Sequence, residues 1–125
     1  MKYIALIRHI NKDIEEEVTV TINEVTLTGF ANVCPYLIKE GESYPVSIGI
    51  TILDELEIVE QQGEEKRFYK DGSSFAYEIS GLLTEQGILD ANILIEDEVF
   101  EDYEYMYGKY VKIRVDRISL EFIVE

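Results

Sequence analysis

His9 and Cys34 are the only residues of their types in the 125-residue sequence, and together they could form a nucleophilic pair. Sequence spacing does not exclude such a pair, because catalytic groups are assembled in space. However, Cys34 lies in the apolar stretch NVCPY, which indicates a small buried thiol, and His9 lies on a predicted strand, at an edge or on the surface. A zinc site would need two further soft ligands that the sequence lacks.

Asp54 is the acid with the most unusual position in the sequence pattern. It takes an inward-facing position between Ile52 and Leu56 if one strand runs through all three residues. A buried carboxylate needs a partner or a raised pKa. We expect the strand to bend and expose Asp54. The alternatives are an internal pair with an arginine such as Arg114 or Arg117 and, third, a catalytic acid.

The abundance of carboxylates suggests calcium, which binds to loops with acids at fixed positions around a central glycine. The best candidate, DANILIEDEVFE from Asp90, has Leu94 and Ile95 where a ligand and that glycine should stand. A phosphate-binding glycine loop is also absent, because GKY at 108–110 lacks the preceding glycine spacing. We therefore expect no catalytic residues, no metal site and no cofactor.

The stretch IEDEVFEDYEYMYGKY, residues 95–110, combines acids with aromatic rings. Residues 88–108 contain seven acids and no base, so they hold nearly half of the net charge of −15. The alternation of Tyr103, Tyr105 and Tyr107 with Asp102, Glu104 and Met106 predicts an extended segment with three rings on one side. Such a segment is either a solvated connection whose rings cover one end of a barrel, or a surface that binds a partner.

The second interpretation predicts a non-enzymatic protein-interaction module. Tyrosine is enriched at interface hot spots, and surrounding acids steer and orient a basic partner. Acidic inhibitor and immunity proteins that neutralise basic nucleases use the same physics. The residues predicted to contact a basic protein are Glu96, Asp97, Glu98, Phe100, Glu101, Asp102, Tyr103, Glu104, Tyr105 and Tyr107.

Composition limits the other partners. The sequence has 26 acids against 11 bases, a balance that repels nucleic-acid phosphates and anionic membrane surfaces. A single cysteine excludes an internal disulfide and fits a reducing compartment. The apolar run from Tyr3 to Ile7 is shorter than a secretory signal requires, and no stretch approaches a membrane span. We expect a cytoplasmic protein.

The elements that must position these residues are strands, because apolar residues recur with a period of two. We expect one β domain over residues 1–125, with five or six mostly antiparallel strands. The segment 53–62 contains helix formers, but its apolar residues fit a strand better. The segments with this alternation are 2–10, 18–29, 46–58, 75–83, 88–95 and 110–125.

Two of these segments, 18–29 and 110–125, shift their alternation by one residue near the middle. A β-bulge produces such a shift and bends a strand, and bent strands allow a small sheet to close. The pattern resembles an OB-type barrel over most of the chain. An OB barrel usually carries a helix between its third and fourth strands, and TEQG at 84–87 is too short for one. This departure favours a simpler antiparallel barrel or a sandwich.

The resemblance implies an alternative function, an OB-like protein that binds nucleic acid or a small ligand. Its contacts would come from Lys112 and Arg114, which point away from the predicted core. We instead expect these two side chains to pair across strands with neighbouring acids.

Overall fold

The structure, a computed structural model, describes residues 1–124. It consists of eleven strands and one 3-10 helix, Glu98–Met106, between β9 and β10. The strands are β1 (Tyr3–Ile10), β2 (Glu17–Ile22), β3 (Val25–Val33), β4 (Ser43–Thr51), β5 (Glu57–Glu60), β6 (Arg67–Lys70), β7 (Tyr77–Leu83), β8 (Leu89–Asp90), β9 (Leu94–Ile95), β10 (Lys109–Val115) and β11 (Arg117–Phe122).

Five of these strands pair in a ring, in the order β1-β2-β3-β11-β4, with β4 pairing back to β1. Among the strand pairs of residues 1–124, only β3–β11 is parallel. The connection from β3 to β4 contains turns and irregular backbone, and its Tyr36 and Ile38 pack against the core. The alternation in β2 gives the ring an apolar interior, because Val18, Val20 and Ile22 are all buried while the threonines between them face outward.

The other strands form a second antiparallel sheet in the order β5-β10-β7-β8-β9, with β6 pairing alongside the first part of β7. The chain passes between the sheets at Asp116, which separates β10 from β11. Its carboxylate accepts a hydrogen bond of 2.7 Å from the Leu53 N–H, and its own N–H donates to the Thr51 carbonyl at 2.9 Å. These bonds hold the segment after β4 beside the crossing point.

The prediction of an all-β domain with mostly antiparallel strands is confirmed, but the predicted strand bounds need correction. The shift within 18–29 is a turn and not a bulge. Asn23 and Glu24 have φ values of 49° and 69°, as a type I′ hairpin turn requires, and Ile22 pairs with Val25 across it. The shift within 110–125 is the change of sheet at Asp116.

Three further segments differ from the sequence prediction. Residues 46–58 do not form one strand, because β4 ends at Thr51 in the first sheet and β5 begins at Glu57 in the second. Residues 88–95 alternate as expected, but they form the hairpin β8–β9, with Asn92 at a φ of 70° in the turn. Strand β6 was not predicted, because short turn sequences flank it on both sides. Both sheets contribute to one continuous hydrophobic cluster, which also includes Phe100 and Met106 of the 3-10 helix.

Candidate functional site

The acidic stretch folds as the 3-10 helix because its start is capped and its apolar residues face the core. The Asp97 side chain accepts a hydrogen bond from the Val99 N–H at 2.9 Å. Glu98 and Glu101 lie in the first turn, where negative charge is favourable. The helix is kinked at Tyr103, which has φ −123° and ψ 34°. The prediction of an extended segment is therefore wrong.

The three tyrosines do not share one side. Tyr103 and Tyr107 are half-buried and pack against the core, whereas Tyr105 is 69% exposed. The Tyr103 hydroxyl donates to the Leu56 carbonyl at 3.4 Å, and the Tyr107 hydroxyl donates to the Phe100 carbonyl at 3.1 Å. Two rings thus cover the core, and only one is displayed to solvent.

Phe100 must be removed from the predicted partner surface, because its side chain is 0% exposed. Asp97 is half-buried and is occupied in capping the helix. The remaining predicted acids are exposed, and they are Glu96, Glu98, Glu101, Asp102 and Glu104.

The helix acids face the segment after β4 across a groove of about 640 Å³. We call this cleft the acidic groove, since five of its ten lining residues are acids and no basic residue lines it. Its walls are Ile50, Thr51, Ile52, Asp54, Leu56, Asp97, Glu98, Val99, Glu101 and Asp102.

Asp54 lines the acidic groove, although its place in the sequence did not predict that it lies beside residues 97–102. The expected exposure of Asp54 is confirmed, since the chain bends between β4 and β5. The sequence indicated this bend because it has a charged residue at a position that would otherwise face inward. The sequence did not show that this bend faces the 3-10 helix, because the two are about 45 residues apart.

The acidic groove is electrostatically uncompensated. Within residues 1–124, none of its five acids forms an ion pair. Burial raises the pKa of Tyr107, and the negative charges of Glu104 and Glu101 raise it further. The acidic groove is therefore a cleft of negative charge with no ion-pair partner among the described residues.

One protein family accounts for nearly the whole chain. The family described as "Uncharacterised conserved protein" has a model that matches residues 1–123. The chain belongs to this family. No curated protein and no solved structure matches the chain.

The other candidate chemistries from the sequence do not form a site in this family member. Cys34 is exposed, so the expectation of a buried thiol is wrong, and its Sγ contacts the Tyr36 carbonyl oxygen at 3.1 Å. His9 is on the surface as expected, with its Nδ1 3.3 Å from Glu40. Among residues 1–124, no cluster of metal-ligating side chains is present and no helix is long and apolar enough to span a membrane.

The basic side chains of β10 are matched by acids, as predicted. Lys112 lies 4.0 Å from Glu78, while Arg114 lies 2.8 Å from Asp71 and 4.0 Å from Glu57. The bond to Asp71 raises the pKa of Arg114 further above its usual value. The β10 face therefore carries ion pairs and does not present a positive surface that would bind phosphates.

Proposed function

We propose that this protein is a non-enzymatic interaction module whose acidic groove binds a basic protein, as an acidic inhibitor or immunity-type protein would. The observation that carries the proposal is the acidic groove itself, with five acids and no ion pair among the described residues. A cleft lined by one sign of charge concentrates the field and raises the association rate of oppositely charged partners.

The ring exposed beside the groove supports the same function. Tyr105 is displayed to solvent, and its ring centroid lies 6.0 Å from that of Tyr103. A displayed tyrosine supplies apolar contact area together with a polar hydroxyl, which suits an interface anchor. Basic side chains of the partner would enter the groove while its apolar groups pack on Tyr105.

The type of scaffold and the location of the protein are also part of this proposal. The ring of five strands, with its single parallel pair, supports an OB-type barrel as the scaffold. The free and exposed thiol of Cys34 supports a reducing, cytoplasmic location. The module would then neutralise or recruit a basic protein inside the cell.

A pair of charge-reversal variants tests the proposal. Glu101→Lys/Asp102→Lys reverses two groove acids, and Asp13→Lys/Glu15→Lys makes the same change in net charge on the exposed β1–β2 connection. Each variant is titrated with a fluorescent peptide rich in Lys and Arg, and circular dichroism confirms that each remains folded. We expect the groove variant to bind at least about tenfold more weakly, since each lost charge contact is worth up to about 1 kcal/mol and becomes repulsive.

The matched control should lose less than about threefold in affinity, because only the long-range field changes. Equal losses for the two variants would contradict the proposal, since binding would then follow net charge alone.

A further inference from the structure

Strand β5 is the edge of the second sheet and pairs only with β10. The Gln61 N–H donates to the Tyr110 carbonyl at 2.9 Å, which fixes the alternation of hydrogen bonds along this antiparallel pair. By that alternation, Glu57 and Val59 bond to β10, and the N–H and C=O groups of Ile58 and Glu60 point outward. Within residues 1–124, no backbone or side-chain group bonds to this outer edge.

The acidic groove leads directly to this free edge. Leu56 lines the groove and immediately precedes β5. The Tyr103 hydroxyl meets the Leu56 carbonyl at 3.4 Å, near the long limit for a hydrogen bond. A chain segment leaving the groove past Tyr103 would therefore meet the unpaired groups of Ile58 and Glu60.

The side chains of β5 suit a basic strand. The Glu57 side chain is 76% exposed, and Val59 is 60% exposed beside it. Arg114 is closer to Asp71, at 2.8 Å, than to Glu57, at 4.0 Å, so the Glu57 carboxylate stays available to a partner. Among the described residues, the Glu60 carboxylate forms one ion pair, with Lys109 at 3.5 Å, and the Glu60 side chain remains exposed.

Charge also argues against a second copy of the chain as the partner that pairs with the free edge of β5. Pairing of two β5 strands would bring Glu57 and Glu60 of both copies together on strands that carry no base, and closely placed like charges destabilise a sheet. Each copy also carries a net charge of −15. The free edge of β6, by contrast, presents Arg67 and Lys70, which would repel a basic strand.

We propose that β5 accepts an extended, Lys- and Arg-rich segment of a partner protein as an added β-strand, while the adjoining residues of that segment lie in the acidic groove. Backbone hydrogen bonds to Ile58 and Glu60 would supply affinity, and the flanking acids would supply selectivity for basic side chains. This inference rests on the proposed function and specifies how the partner is held.

The test compares Glu60→Pro with Glu60→Ala. Both variants lose the same carboxylate and its contact with Lys109, but only proline removes the outward N–H, and proline is tolerated on an edge strand. The probe is a synthetic peptide of roughly ten residues that alternates Lys or Arg with Val or Thr. We expect Glu60→Pro to bind it about tenfold more weakly than Glu60→Ala, from one lost hydrogen bond and a clash in the added strand.

Hydrogen exchange on the unmodified protein gives a second readout that needs no variant. The peptide should slow hydrogen exchange at the outward amides of Ile58 and Glu60. If Glu60→Pro does not fold, this measurement tests strand addition at β5 by itself. Unchanged exchange, or equal affinities of the two variants, would overturn strand addition. The proposed function would still stand if Glu101→Lys/Asp102→Lys weakens binding, and would fall if it does not. If the amides of Ile58 and Glu60 exchange more slowly at higher protein concentration without any peptide, two copies of the chain pair at β5, and this result would also overturn the inference.

Discussion

Alanine at Gly81 should destabilise the protein through a backbone clash that glycine avoids. A Cβ at Gly81 in β7 would lie 2.6 Å from the Asp90 carbonyl oxygen and 3.0 Å from its carbon, both in β8. Protein Cβ atoms essentially never approach another heavy atom within 3.0 Å, so β8 would have to move. The chain continues from β8 through β9 to the 3-10 helix, which forms one wall of the acidic groove.

The expected magnitude follows from the atoms involved. Overpacking a folded core costs about 1–3 kcal/mol, and we expect the upper end because the obstacle is backbone and not a flexible side chain. Gly49→Ala is the matched control, since the nearest heavy atom to its Cβ would be Ser119 Cβ at 3.7 Å, an ordinary contact. That change should be neutral or stabilising by up to about 1 kcal/mol, because alanine lowers the entropy of the unfolded chain.

Urea unfolding of both variants and the parent protein measures these free energies by linear extrapolation. We expect a clear loss for Gly81→Ala and none for Gly49→Ala. If Gly81→Ala stays within about 0.5 kcal/mol of the parent, or if both variants lose the same amount, the close packing of β7 on β8 is refuted.

Two other predictions concern the 3-10 helix. Phe100→Ala should lower the free energy of unfolding by about 3–5 kcal/mol, since it empties a fully buried site. Tyr105→Ala, which changes an exposed ring, should alter that free energy by less than about 0.5 kcal/mol. Equal losses of the two variants in urea unfolding would contradict the packing of Phe100 in the core. Because burial raises the pKa of Tyr107 in the folded state, its contribution to stability is complete below the usual tyrosine pKa of about 10 and is lost as the pH rises through the folded value. Stability measured from pH 9 upward should therefore fall less steeply in Tyr107→Phe than in the parent protein, and identical slopes would contradict the buried setting of this hydroxyl.

The sequence predicted which residues are buried better than it predicted where strands end. The alternation through Leu89, Ala91, Ile93 and Ile95 is borne out, since all four are buried, yet the backbone turns between them. A period of two reports the side that a residue faces, and a tight hairpin can preserve it. The Asn23-Glu24 turn was not predicted for a different reason, because glutamate rarely adopts the positive φ found there.

The site was predicted in part. The negative charge of residues 96–104 followed directly from composition, and the acids of this segment are exposed except for the half-buried Asp97. The orientation of the tyrosines was not predictable from alternation, because a kinked 3-10 helix places successive residues by its own geometry. The role of Asp54 depended on long-range packing that periodicity does not encode.

An NMR titration of the labelled protein with the Lys- and Arg-rich peptide tests most directly whether the acidic groove binds a basic partner. We expect the changes in backbone amide shifts to concentrate in residues 50–56 and 97–102, the two walls of the acidic groove. Amides around Asp13 and Glu15, an equally exposed acidic turn, should change little. Shifts centred on Lys112 and Arg114, or spread evenly over every exposed acid, would contradict a groove that binds a basic partner.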